Sequence, residues 1–336
     1  MDLFKKRLLI VSGKGGVGKT TICAALARLM AGQGRKVLLV EADTRADSKA
    51  RITEIFGTPH VGFDPREVYP NIFAVHLDAD ACMKDYVVHK VRLEMIYNAA
   101  FRLPFVRNTM NFFPGIKEFM IMHRIMRLEG MHGSSGAPRW DHIIFDGPTT
   151  GHSLFYLQCS KVLVDILRAG PFARDAQHVH DTIVSPEKTC FNVVTLAEEL
   201  PVNETLDLIR NAKQVLDVPL GYVFINAVQS QVFPEPNGIP AGRKGLDALS
   251  GDAAGRGRVE AALGGAAAAE ALLECATFQT DRAEINRQHI DRLLGVPMRY
   301  LQVPYIYSRN FDLNTIDGIA RTIGEGLGAF AGREER

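Results

Sequence analysis

The chain has 336 residues, 46% of them hydrophobic, with 39 basic and 38 acidic side chains and a net charge of +1 when histidine is neutral. This is the composition of an ordinary globular protein with one large core, and its charge balance excludes a global field that would draw it to nucleic acid or anionic lipid. The five cysteines, Cys23, Cys82, Cys159, Cys190 and Cys275, are scattered and form no Cys-x-x-Cys pair. That pattern argues against a disulfide framework, a structural zinc site or a cluster, and it fits a reducing cytoplasmic location.

In chain order, the first apolar run, Leu8–Val11, is too short for a signal peptide or a transmembrane segment and has the length of a buried strand. It runs into "SGKGGVGKTT", residues 12 to 21, and then into an Ala- and Leu-rich helical pattern that ends at Gly34. Within that loop, Gly13-x-x-x-x-Gly18-Lys19-Thr20 satisfies the phosphate-loop pattern. Glycines let successive backbone N–H groups curl round a phosphate, and the following helix points its positive end at the same anion. The pattern assigns Lys19 to the β- and γ-phosphates of ATP and the Thr20 hydroxyl to Mg. Only one lysine is needed for this, so Lys14 calls for a separate explanation.

Further apolar runs at Val37–Val40, Ile72–Leu77, His142–Phe145, Cys190–Leu196 and Leu220–Ile225 alternate with helical patterns. Such alternation predicts an α/β fold with a doubly wound, mostly parallel sheet over residues 1–336. Two stretches interrupt it. Residues 83–131 hold seven of the ten methionines together with many aromatics, and read as an inserted helical subdomain. Flexible methionines on facing helices either form an adaptable apolar groove or fill the segment's own core. The Gly- and Ala-rich residues 234–269 read as a flexible insertion, a mobile loop followed by a helix start.

The string "KGGVGKTT" resembles the deviant Walker A loop of a class of P-loop ATPases that includes septum-site and chromosome-partition proteins, the nitrogenase iron protein, the arsenical pump-driving ATPase and the tail-anchored-protein targeting ATPase. In that class the first lysine crosses a dimer interface to nucleotide held by the other subunit. The resemblance therefore implies that Lys14 acts within a homodimer or a heterodimer with a paralogue. The stretch "FDGPTTGHSL" narrows the branch. It places Asp146 as the Walker B carboxylate and resembles the switch II motif Asp-Thr-Ala-Pro-Thr-Gly-His-Thr-Leu of the arsenical-pump and tail-anchor-targeting family, Thr150, Gly151, His152 and Leu154 coinciding. "FFPGIKEFM" and "VVTLAEELPVNET" resemble further segments of that family, with Asn203 in the position of a helix N-cap. "VFINAV" puts Asn226 where the family's adenine-contacting asparagine lies, and "QVPYI" puts Pro304 near the loop that covers the base.

The resemblance implies Lys14, Lys19 and Asp43 as the catalytic set. It assigns Gly13, Gly15, Gly16, Val17, Gly18, Lys19, Thr20 and Thr21 to the phosphates, with Gly151, Asn226 and Pro304 as further nucleotide contacts. Thr20, Asp43 and Asp146 would attend the Mg. The sequence departs from the family at switch I, which reads Asp43-Thr44-Arg45-Ala46-Asp47 in place of Asp-Pro-Ala-His or Asp-Pro-Ala-Ser, and it has neither the zinc-clamp Cys-x-x-Cys nor a recognisable arsenite-binding thiol triad. "HLDADACMKDYV" resembles bacterial single-domain relatives. The implied function is a dimeric, ATP-hydrolysing switch that serves a hydrophobic or membrane-protein client at the Met-rich helices, with no nucleic-acid partner. An arsenite-stimulated pump subunit and a catalytically weak ATP-dependent binding module are the alternatives.

Overall fold

Each of the six apolar runs becomes a strand in the computed structural model of the protein, which describes residues 2–43, 51–58, 60–91, 115–167, 169–214, 216–230 and 242–334, with the side chains of residues 43, 91, 150 and 329–334 excepted. The strands are β1 (Leu8–Gly13), β2 (Val37–Asp43), β3 (Arg66–Tyr69), β4 (Ile72–Asp78), β5 (His142–Thr149), β6 (Thr189–Leu196), β7 (Leu220–Val228) and β8 (Arg299–Pro304). They form one sheet in the order β3-β4-β2-β5-β1-β6-β7-β8. The β3–β4 pair is antiparallel and every other pair is parallel. β1, at the middle, is buried at every position. A strand covered on both faces has to be continuously apolar, which is why it reads as an unbroken run.

On one face lie α1 (Lys19–Ala31), α2 (Arg51–Phe56) and α11 (Leu313–Glu334), which pack Leu26, Ile52 and Ile319 against Leu9 and Leu39. On the other lie α3 (Ala79–Val91), α4 (Ile116–Glu129), α5 (Thr150–Ile166), α6 (Pro171–Val184) and α7 (Glu199–Gln214), which close over Leu8, Ile10 and Phe145. α1 leaves β1 toward the first face, whereas α5 and α7 leave the flanking strands β5 and β6 toward the second. A crevice opens at the carboxyl ends of those strands, the ligand position in doubly wound sheets.

Parts of the two interrupting stretches lie within the described residues. Met83 of α3 and Met120, Met122 and Met126 of α4 are buried in the core shared with the sheet, which is the core-filling alternative for these four side chains. Met95 and Met110 lie outside the described residues. The stretch from residue 242 onward is helical, with α8 (Arg243–Ser250), α9 (Ala253–Leu263) and the start of α10 (Ala266–Leu293). Among its small residues Gly245, Gly255 and Ala269 are buried. A Cβ at Gly255 would lie 2.6 Å from the Ala248 carbonyl oxygen, and Asp252 caps α9 by accepting the Gly255 N–H at 2.5 Å. α7 begins at Glu199, so Asn203 lies inside that helix, where its side chain accepts a hydrogen bond from Arg292 on α10. Among the described residues no single helix is long and apolar enough to cross a membrane; α9 and α10 pass such a test only jointly and are bent by 112°.

His123 of α4 is packed between Tyr86 and Phe119, with ring centroids 4.8 and 6.0 Å away. Burial pulls its pKa down to about 4. The unfolded chain therefore protonates this ring first, so its stabilising contribution is complete above about pH 6.5 and is lost as the pH falls toward 4. The expected loss reaches about 3 kcal/mol. Thermal melts between pH 7 and pH 4.5 should show a steep decline that His123→Leu flattens, and an equal decline in that variant would contradict this assignment.

Candidate functional site

The loop between β1 and α1 is built round positive backbone angles, with φ of 148° at Gly13, 84° at Gly16 and 92° at Gly18. A Cβ at Gly13 would run into the Val194 carbonyl oxygen, and one at Gly18 would collide with the side-chain amide of Asn226. That amide donates to the Val17 carbonyl at 2.9 Å, so Asn226, at the end of β7, fastens the loop from the side. Val17 is buried beneath the loop, Gly15 and Gly16 are open to solvent, and Thr21 is half-buried in the first turn of α1.

Lys19 is buried, and its ammonium donates to the carbonyls of Gly13 at 3.1 Å and Lys14 at 3.0 Å. Burial lowers its pKa, an effect that the nearby charge of Asp146 opposes. Thr20 donates its hydroxyl to Asp146 Oδ2 at 2.5 Å. Among the described residues Asp146 Oδ1 is enclosed with no hydrogen-bonding partner, although the Cys23 thiol lies beside the carboxylate. Burial pushes the Asp146 carboxyl up, partly offset by Thr20 and Lys19. A hydroxyl and an orphaned carboxylate oxygen side by side form an oxygen-only donor pair, the type that suits Mg and its water shell, so these residues fit the metal that the phosphate-loop pattern calls for.

Lys14 forms an ion pair within its own chain, 2.7 Å from Glu204 Oε1 on α7. Asp43 ends β2 in register with Asp78, but its side chain lies outside the described part of the structure, as do Thr44–Asp47. Gly151 is exposed in the first turn of α5, as is His152. Pro304 ends β8, next to a cavity of about 320 Å³ that opens at the carboxyl ends of β6, β7 and β8. Leu196, Ala227, Gln229, Phe278, Tyr305 and Tyr307 line it. Tyr307 donates to Gln229 at 2.8 Å, and the Tyr305 and Tyr307 rings are 4.7 Å apart. Buried Asn286 of α10 binds the ends of both neighbouring strands, donating to the Ala197 carbonyl and accepting from the Gln229 N–H, each at 2.9 Å.

The family model described as anion-transporting ATPase matches residues 6–170, which include the phosphate loop, Asp146 and Gly151. Residues 6–170 of the chain are thus similar to this family. ATPase BagA of Mycobacterium tuberculosis is 31% identical over 225 residues, 66% of this chain and 64% of that relative. ATPase GET3 of Podospora anserina is 29% identical over 170 residues, covering 50% of this chain and 47% of its own length. ATPase GET3 of Debaryomyces hansenii is 25% identical over 240 residues, covering 60% and 67% respectively. The chain thus spans 64% of the length of BagA.

One residue that the motif reading passes over is Glu41. It is buried in β2, in register with Asp146 on β5. Its two carboxylate oxygens accept the backbone N–H groups of Arg51 and Ile52, each at 3.1 Å. Burial, with Asp146 adding to it, pushes its pKa up to about 7. The available signal was an acidic residue inside "VLLVEAD", where Asp43 alone has a motif role.

Burial makes the charged form of Asp146 costly, so a carboxylate there burdens the fold when no cation is bound. Asp146→Asn is expected to raise the melting temperature by a few degrees in the absence of nucleotide and metal, and to remove the Mg-dependent part of the stabilisation by ATP. A lower melting temperature without ligand would show that the charge supports the empty site.

Proposed function

We propose that the chain binds ATP with Mg at the β1–α1 loop and hydrolyses it as one subunit of a dimer. The observation that carries this reading is the Thr20–Asp146 contact beside the glycine loop, with Lys19 buried against the same loop. The similarity of residues 6–170 to the anion-transporting ATPase family supports it. Backbone N–H groups of Gly15 to Thr21 would hold the phosphates, and Lys19 would exchange its two carbonyl partners for phosphate oxygens. The aromatic-lined cavity next to Asn226 has the position and lining of a base pocket, with Pro304 at its edge. Mg, when bound, would neutralise charge developing on the phosphates and would be held through Thr20 and Asp146. Asp43 is assigned to orienting the attacking water.

Lys14 would serve the partner's nucleotide, for which it must leave Glu204. Both side chains are about one-third exposed, 31% and 38%, so that ion pair is a weak restraint. The nucleotide state would then control a hydrophobic or membrane-protein client, which the burial of Met83, Met120, Met122 and Met126 directs away from those side chains.

Steady-state ATP hydrolysis measured across a range of protein concentrations tests this directly. Specific activity should rise with concentration in the wild type and fall to background in Lys14→Ala and Asp43→Ala. Background activity in all three, with ATP still bound, would replace the enzyme reading with an ATP-dependent binding module.

A further inference from the structure

Arg51 is the first residue of α2, a helix of only six residues. So short a helix does not hold its own first turn in place; here the two oxygens of Glu41 do so, one on the Arg51 N–H and the other on the Ile52 N–H, both at 3.1 Å. Glu41 is 8% exposed and stands beside Asp146 in the neighbouring strand. Both oxygens of a buried carboxylate are thus committed to fixing where Arg51 leaves the backbone, one strand away from the Thr20–Asp146 pair. Ile52 is buried against the α1 face, which fixes the rotation of α2 and leaves Arg51 on its exposed side.

The charge of Arg51 acts on the same two groups that frame the phosphate site. It opposes protonation of Lys19, and it favours the ionised form of Asp146. Lys19 is buried against the loop, whereas Arg51 is exposed at the start of α2, whose first turn Glu41 ties to the strand beside Asp146. A guanidinium there is suited to a terminal phosphoryl group, because its planar fork presents two parallel N–H donors to two phosphate oxygens.

We propose that Arg51 contacts the terminal phosphate of the bound nucleoside triphosphate in its own chain, and that Glu41 is the positioning residue that holds it there. This rests on the ATP reading above and adds to it a cation supplied in cis, distinct from Lys14. Arg51 would then distinguish triphosphate from diphosphate.

Calorimetric titration of the full chain with Mg·ATP and with Mg·ADP tests the proposal in the wild type, Arg51→Ala, Arg51→Lys, Glu41→Gln and the Arg51→Ala/Glu41→Gln double variant. Arg51→Ala is expected to weaken ATP about tenfold and ADP less than about twofold. Arg51→Lys should recover part of the ATP affinity. Glu41→Gln should show the same selectivity, and in the double variant it should add nothing to the loss from Arg51→Ala, since a residue acting only through Arg51 has no effect once Arg51 is gone. Unchanged ATP affinity in Arg51→Ala, or an equal loss for ATP and ADP, would overturn the phosphate contact. Additive losses in the double variant would overturn the positioning role. A wild-type chain that binds neither nucleotide would refute the ATP reading and this proposal with it, whereas normal wild-type binding with an indifferent Arg51→Ala would refute the proposal alone.

Discussion

A carboxylate kept out of water at the end of a central strand is the constraint round which this molecule is arranged. Asp146 has one oxygen on the Thr20 hydroxyl and the other enclosed without a partner among the described residues. Leaving such an atom unpaired costs about 1–3 kcal/mol or more, and an apolar residue of similar size would avoid that cost. Keeping it means that the neighbouring parts have to bring cationic or donor groups to it: the buried ammonium of Lys19, the hydroxyl of Thr20 and the charge of Arg51. The parallel order that sets β5 beside β1 puts these parts within reach of one another. The topology thus determines which residues meet, and the buried charge determines what they must be.

The same crevice has two further walls. On the β2 side, Glu41 ties α2 to the sheet. On the β7 side, Asn226 holds the loop through Val17, and Asn286 anchors α10 over the ends of β6 and β7. The phosphate loop is therefore braced by side chains from distant parts of the sequence. This accounts for a loop that combines three positive-φ glycines with a fixed shape: the glycines permit the curvature, and the asparagine bond selects one conformation from those that glycine allows.

Much of this was legible in the sequence, for a physical reason. Strands buried on both faces must be continuous apolar runs, so β1, β2, β4, β5, β6 and β7 declare themselves, and a loop that must wrap a phosphate must repeat glycine. β3 was not legible, because an edge strand reading Arg-Glu-Val-Tyr, with one buried position, carries no such pattern. Methionine density in residues 83–131 does not show which way the side chains face, and α4 turns Met120, Met122 and Met126 inward. The Gly- and Ala-rich string was misleading in the opposite sense: small residues that look like a mobile linker are also what two closely packed helices require, as Gly255 shows against Ala248. Glu41 escaped because its role depends on amides ten and eleven residues away, which no local motif records. Lys14 was recognised as the unusual residue of the loop, but its contact with Glu204 only emerges once α7 is folded beside β1.

The central claim is that the glycine loop, Lys19, Thr20 and Asp146 form one site for ATP together with Mg. The measurement that tests it most directly is calorimetric titration of ATP into the purified chain, with Mg present and then with Mg chelated, in the wild type and in Thr20→Ala. The account expects saturable binding of one ATP per chain that weakens at least about tenfold when Mg is removed, and a Thr20→Ala variant that has lost that dependence. Absence of binding at millimolar ATP, or binding that is equally tight with and without Mg in the wild type, would contradict it.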